Sequence, residues 1–553
     1  MPSRRDFLSL TGSALVAGAL AACRPSGGVG TSAAPAVRTS RGRADLVIRG
    51  GTVFDGTGAP GREMDLAIVG GRIAQLGPRL AVTGAEELDA RGLAVAPGFI
   101  DIHSHANGTM FADPAVESVV RQGITTVVVG QDGSSPGVGD GERADAVGAF
   151  LAAVEREPPA CNVATMVGLG SVRGTVVGAD DRPATADELR RMVEIVERSL
   201  AAGACGASSG LEYTPGAFAS RDELVALCRP LASRGLPYST HMRNEDDRLL
   251  DAIGESIAVA EGARCRLQIA HLKTQGPRNW ARLDDAFALI EGAAARGLDV
   301  AFDRYPYVAY QTGLTNLFPV WSRDGGTDAF LARLADASTA PRIRTEVLAK
   351  VELIGGWDNV QVTSVRAAED RAAEGKRLGE YAASVGADPY EVTVGLLRRS
   401  GGSVGMVGFA MSEENLERIL AHPRGMVCSD GGAFAVEGPA RRGVPHPRAL
   451  GSFPRVIARY VRERGALTLE QAVHRMSGAP ASRLRLADRG RIAEGLAADV
   501  VVFDPATIAD RATFEDPYQY PVGIAAVIVN GAPALQDGLR TTARTGQVAR
   551  PAA

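Results

Sequence analysis

Lysine is almost missing from this chain. Among 60 basic residues in a sequence of 553, only Lys273, Lys350 and Lys376 are lysines, and arginine supplies the rest. That skew reads as codon bias. The net charge is −4, so no excess of basic residues points to nucleic acid as a partner. Cysteine is also scarce: Cys23, Cys161, Cys205, Cys228, Cys265 and Cys428 are the full set of six. No CxxC pair or Cys/His cluster occurs, which leaves no signature of a cysteine-held zinc finger. Aromatic residues are only 5% of the chain. An apolar run of the roughly 20 residues that a membrane-spanning helix needs is lacking as well.

What is present suits a large globular enzyme. Apolar residues make up 45% and charged residues 22% of the chain, enough for an extensive core. The first 23 residues read as a targeting segment. Arg4-Arg5 is a twin arginine, followed by a short Ala- and Gly-rich apolar run. Leu20-Ala21-Ala22-Cys23 resembles a lipobox, so Cys23 is the expected point of lipid attachment. The expected route is twin-arginine export to the periplasm or cell envelope. Residues 24–43 read as a flexible linker rich in Gly, Ser, Ala and Pro.

Short β patterns follow over 44–96 and return over 483–540, with residues 541–553 left as a tail. These two flanks predict one small, β-sandwich-like domain built from both ends. Between them, over 97–482, strand and helix patterns alternate. Eight strands are expected: Gly98–His105, Thr125–Asp132, Asn162–Gly168, Cys205–Gly210, Leu236–Arg243, Arg266–Leu272, Asp299–Tyr305 and Gly425–Asp430. Helical stretches such as Asp187–Ala202 and Leu249–Gly262 separate them. That alternation predicts an α/β fold with a parallel sheet closed into a (β/α)8 barrel, interrupted by an insertion at about 308–424.

Barrel enzymes place their chemistry at the C-terminal ends of the strands, and polar residues cluster there in this sequence. His103 and His105 close the first strand. Alternate residues of a strand share a face, so the two imidazoles make half of a divalent-metal site. His241 ends the fifth strand and His271 the sixth. Asp430 ends the eighth, where a carboxylate can take a proton from an attacking water and return it to a leaving amine. Asp132, ending the second strand, reads either as a ligand shared between two metals or as a turn residue before Gly133. His422, His446 and His474 fall outside strand ends and read as structural.

These residues sit in motifs that resemble the D-aminoacylase (N-acyl-D-amino-acid deacylase) family of the metal-dependent amidohydrolase superfamily. The motifs are Pro97 to His105, Ser208 to Gly216, Thr240-His241-Met242-Arg243, Ala270-His271-Leu272-Lys273, Arg304-Tyr305-Pro306-Tyr307, Ser429-Asp430-Gly431 and His446 to Arg455. The resemblance implies zinc at His103, His105, His241 and His271, with Asp430 as the catalytic aspartate. It implies substrate-carboxylate contacts from Lys273 and Tyr305, and a side-chain-reading arginine at Arg441 or Arg442. The implied substrate is an N-acylated D-amino acid, with a dipeptide or another linear or cyclic amide as the alternative. A non-catalytic, lipid-anchored binding protein is the remaining reading, and the retention of all four histidines and Asp430 weighs against it. The family commonly has Asn-Cys-Gly where this chain has Gln131-Asp132-Gly133. A carboxylate is a harder ligand than a thiolate and suits two shared metals, with Mn or Co accepted beside Zn.

Overall fold

The computed structural model describes residues 43–136 and 146–552. The twin arginine, Cys23 and nearly all of the expected linker lie outside the described residues. Arg43, placed at the end of that linker from sequence, already begins a strand, Arg43–Val53.

Eight parallel strands carry the central barrel, each inside the segment expected for it except the second, which starts one residue earlier, at Ile124. They are β1 (Phe99–Asp101), β2 (Ile124–Val129), β3 (Asn162–Thr165, resumed at Val167–Gly168), β4 (Ala207–Gly210), β5 (Pro237–His241), β6 (Arg266–Ile269), β7 (Val300–Arg304) and β8 (Gly425–Val427). β1 pairs with β2 and β2 with β3, while the second piece of β3 begins a sheet that runs in order to β8. All these pairings are parallel. β2 shows why: Ile-Thr-Thr-Val-Val-Val is β-branched throughout and buried at every position, as a strand covered on both faces requires. Between β8 and β1 the seam is closed without a regular ladder. Asp430 N donates to His103 O at 2.8 Å and His105 N to Gly431 O at 2.9 Å. Buried Asp101 accepts from Ser429 N at 2.8 Å and from its hydroxyl.

Helices follow the strands on the outside, including Ala186–Ala202, which starts with a capping box of Thr185 and Glu188. The side-chain oxygen of Thr185 and the Glu188 carboxylate each satisfy a backbone N–H that the first turn leaves unpaired.

Both chain ends build the β domain as one connected nine-stranded sheet. The joint is Ala94–Pro97 antiparallel to Val500–Phe503, with Val502 opposite Val95. Ile48, Leu66, Ile68, Val500, Val502 and Ile528 pack together on one face. The expected tail is not loose. Val163 N donates to Gln547 O and Ala549 N to Val163 O, both at 2.9 Å, so residues 546–549 strap the start of β3.

The insertion has its own antiparallel sheet, with Val404–Phe409 between Ala309–Gly313 and Val360–Val365. It ends earlier than the sequence suggested. Helix Glu413–Ala421 packs on β8 and belongs to the outer ring of the barrel, so the boundary lies near 411 instead of 424. Its amphipathic pattern is that of any surface helix, and only the packing shows which layer it joins.

Candidate metal centre and active site

At the mouth of the barrel, β1, β2, β5, β6 and β8 bring six side chains to one place. Asp132 is at the middle. Its Oδ1 lies 3.4 Å from His103 Nε2, 3.6 Å from His271 Nε2 and 4.0 Å from His241 Nδ1. Its Oδ2 lies 3.3 Å from His105 Nε2. Asp430 Oδ1 is 3.2 Å from His105 Nε2 and 3.6 Å from His103 Nε2. His241 Nδ1 faces His271 Nε2 at 3.0 Å. Two overlapping donor sets result, His103–His105–Asp132–Asp430 and Asp132–His241–His271, and either could hold a cation.

The backbone bends to achieve this. Asp132, His271 and Asp430 all adopt positive φ, at 52°, 33° and 50°. Each such residue costs of order 1–3 kcal/mol and persists only where its surroundings enforce it. The enforcing contacts are visible: Asp303 Oδ1 accepts from His271 N at 2.8 Å, and the seam bond to His103 O fixes Asp430 N. Beside Asp132, Gly133 has φ 76°, and a Cβ there would sit 2.7 Å from Gly210 N. Only glycine lets that turn pack against β4 and aim Asp132 inward.

The electrostatics call for positive charge. Burial opposes a charged His103, yet Asp132, Asp303 and Asp430 outweigh it and raise its proton affinity well above the ordinary histidine value. Burial likewise opposes a charged His105, but Asp132 and Asp430 raise it to about 9. Burial pushes Asp132 up, while His103, His105 and His271 pull it well below the usual carboxylate range. Asp430 is also driven down, against burial, by Arg448 and then by His103. Both ring nitrogens of His103 and Asp132 Oδ1 are buried without a hydrogen-bond partner. Buried polar atoms are normally paired, and nitrogen and carboxylate donors converging this way fit a divalent metal.

A cavity of about 400 Å3 opens over the cluster. Tyr305, Lys273 and Arg442 line it, as do Arg448, Glu212 and Glu245. The Tyr305 hydroxyl is buried and unpartnered, with Arg304 and Arg448 over its ring at 4.2 and 4.7 Å. Lys273 Nζ is already engaged, 2.6 Å from Glu245 Oε1 and 2.7 Å from His271 Nδ1. Arg441 is a correction: it is not among the lining residues. Its guanidinium lies 4.1 Å from the Tyr518 ring and donates to Val436 O. The three remaining histidines have structural partners. His422 pairs with Glu291, His446 Nε2 bonds Ala309 O, and His474 Nδ1 bonds Gly56 O.

Sequence reasoning missed several residues of this site. Arg448 Nη1 lies 2.7 Å from Asp430 Oδ2. Glu212 and Glu245 contact His241 and His271 from outside the cluster. Asp303 Oδ1 lies 3.6 Å from His103 Nδ1. A signal existed for Asp303, an acidic residue inside the fully buried strand Val300–Arg304. Glu245 lies in the polar stretch Arg243-Asn244-Glu245-Asp246, which reads as an ordinary loop.

Comparison with known proteins is consistent with this geometry. The chain matches the amidohydrolase family over residues 86–349 and 438–534. It is 35% identical over 525 residues to D-aminoacylase of Alcaligenes xylosoxydans xylosoxydans, covering 92% of this chain and 98% of the relative. It is 37% identical over 501 residues to N-acyl-D-glutamate deacylase of the same organism, covering 88% and 93%. Among solved structures it resembles N-acyl-D-glutamate deacylase from Bordetella bronchiseptica, complexed with zinc and a phosphonate mimic of the tetrahedral intermediate. That match has a TM-score of 0.78 and 36% identity, covering 92% of this chain and 100% of the other.

Proposed function

The chain belongs to the amidohydrolase family, and we propose that it hydrolyses N-acyl-D-amino acids to a carboxylate and a D-amino acid. The observation that carries this reading is the position of Asp430. One oxygen faces the histidine cluster, and the other is held by Arg448 at the wall of the cavity. Near full-length similarity to deacylases acting on D-amino acids supports the substrate class.

His103, His105, Asp132, His241, His271 and Asp430 would hold zinc, or manganese or cobalt, as one or two ions. When bound, such an ion supplies Lewis-acid polarisation of the scissile carbonyl and acidification of water. Arg448 keeps Asp430 ionised and fixes its orientation. Asp430 accepts the proton of the attacking water and delivers it to the amide nitrogen as the amine leaves. The Tyr305 hydroxyl, Arg442 and Lys273 hold the substrate carboxylate. The insertion supplies Gln311, Thr312 and Asn316 to the cavity wall and shields the site from bulk water.

Arg4-Arg5 and Cys23 support export by the twin-arginine route and anchoring through lipidated Cys23. None of the described helices is long and apolar enough to cross a membrane, so on this reading the lipid is the attachment. Loss of membrane association in Cys23→Ser, measured by fractionation, tests it.

The activity is tested by incubating the metal-loaded protein with paired N-acetyl-D- and N-acetyl-L-amino acids and with dipeptides. Cleavage of the D series and sparing of the L series is expected. Equal cleavage of both series, or turnover of dipeptides alone, overturns the assignment.

A further inference from the structure

His241 and His271 face the cation gap through different ring nitrogens. His241 turns Nδ1 inward and Nε2 outward, whereas His271 turns Nε2 inward and Nδ1 outward. The outward nitrogen of His241 meets one buried carboxylate, Glu212 Oε2, at 3.3 Å. That of His271 faces both Glu245 Oε1 at 3.0 Å and the Lys273 ammonium at 2.7 Å. An imidazole that donates its outer N–H to a carboxylate presents its inner lone pair to a metal and becomes a more basic ligand.

We propose that Glu212 is a positioning residue that fixes the tautomer of His241, and that the insertion reaches the metal site through Glu212. Both glutamates are buried, at 8% and 2% exposure, so neither is an incidental surface acid. Both are also held from behind. Asn316, on the insertion, donates to Glu212 Oε2 at 3.0 Å, and Arg323, also on the insertion, donates to Glu212 O at 3.0 Å. Lys273 neutralises Glu245 at 2.6 Å. On the next residue, Lys350 of the insertion pairs with Asp246 at 2.6 Å. Two of the three lysines in the chain therefore brace this one loop. An ammonium is compact and has no planar fork, so it fits a single buried carboxylate oxygen that a guanidinium would overrun.

Glu212, His241 and Glu245 lie close enough together to suggest a third cation site. The Lys273 ammonium already occupies the cationic position beside Glu245, and Asn316 caps Glu212, which leaves Glu212 the outer role.

The inference uses the metal site but not the identity of the substrate, and bound metal is its readout. Purified holoenzyme is dialysed against increasing chelator, and retained zinc is measured by elemental analysis. Glu212→Gln is expected to weaken retention about 10- to 100-fold, with unchanged thermal unfolding of the zinc-free protein. Asn316→Ala is expected to shift retention in the same direction by less. Wild-type retention in Glu212→Gln overturns the proposal. Loss of zinc in these variants of a protein that cleaves no N-acyl-D-amino acid would sink the substrate assignment alone.

Discussion

At the floor of the barrel buried polar groups satisfy one another, whereas at the mouth they are left open. On the floor, Asp499 accepts from Asn162 Nδ2 at 2.9 Å, from Asn530 N at 2.8 Å and from Arg489. Asn162 Oδ1 accepts from Asn530 Nδ2 at 2.7 Å and from Gln547 N at 3.0 Å. At the mouth, His103, Asp132 Oδ1 and Tyr305 Oη have no hydrogen-bond partner, and three acidic or histidine residues adopt positive φ. A closed network stabilises a fold, while open donors and strained backbone are kept where a ligand completes them. The floor ties barrel, β domain and C-terminal strap together, and the mouth does the chemistry.

Removing a working group at the mouth gives the sharpest break. Asp430→Asn retains shape but cannot take a proton from water. Its kcat/KM is expected to fall about 10²- to 10⁴-fold, with a melting temperature close to wild type. Near wild-type turnover would remove the role given to Asp430.

The floor should respond the opposite way. Asp499→Ala takes from buried Arg489 one of its two carboxylate partners, leaving Asp488 at 3.2 Å, and opens the bonds to Asn162 and Asn530. Complete loss of a buried ion's partner costs about 3–5 kcal/mol, and the retained Asp488 holds this change to the lower end of that range. The expected result is a large drop in denaturation midpoint, with kcat/KM unchanged at temperatures where the protein stays folded. A variant that melts normally but loses activity would mean that floor and mouth are not separable.

Much of this division was legible from residues alone. His103 and His105 stand out because they close the largely apolar run at 99–102, and His241, His271 and Asp430 because each falls at the C-terminal end of a barrel strand, where the chemistry of such folds gathers. Asp132 was ambiguous because a carboxylate before glycine also suits a turn. Its distances to both histidine pairs come from the curl of residues 130–133, which no pattern reports. Arg448, although inside the motif His446 to Arg455, was given no role, and Glu245 was missed, for another reason. They reach the centre from loops and a helix start, where charge is commonplace and only the fold decides its direction. Helix Glu413–Ala421 was placed in the insertion because amphipathic spacing shows that a face is buried but not against what. The floor network joins residues as distant as Asn162 and Gln547, and contacts of that separation leave no local trace.

The smallest expected effect lies beside the floor, at Asp299. This acid precedes β7 and contacts Arg266 Nε and Arg483 Nη1, each at 2.6 Å. Burial would raise it, but Arg483 and Arg266 outweigh burial and hold it below its ordinary value of 3.8. A depressed carboxylate contributes stability that is fully present above the unfolded value and is lost as pH falls through the lower folded one. The stability difference between wild type and Asp299→Asn should therefore be constant above about pH 5 and shrink below about pH 4. Asp299 is half exposed, at 51% of its side chain, so solvent screening limits the effect to under about 1 kcal/mol. Urea titrations of both proteins across that range would measure it. A difference that grew on acidification would mean that Asp299 is not held ionised by its arginines. The satisfied floor would then end at Asp499 instead of extending to the base of β7.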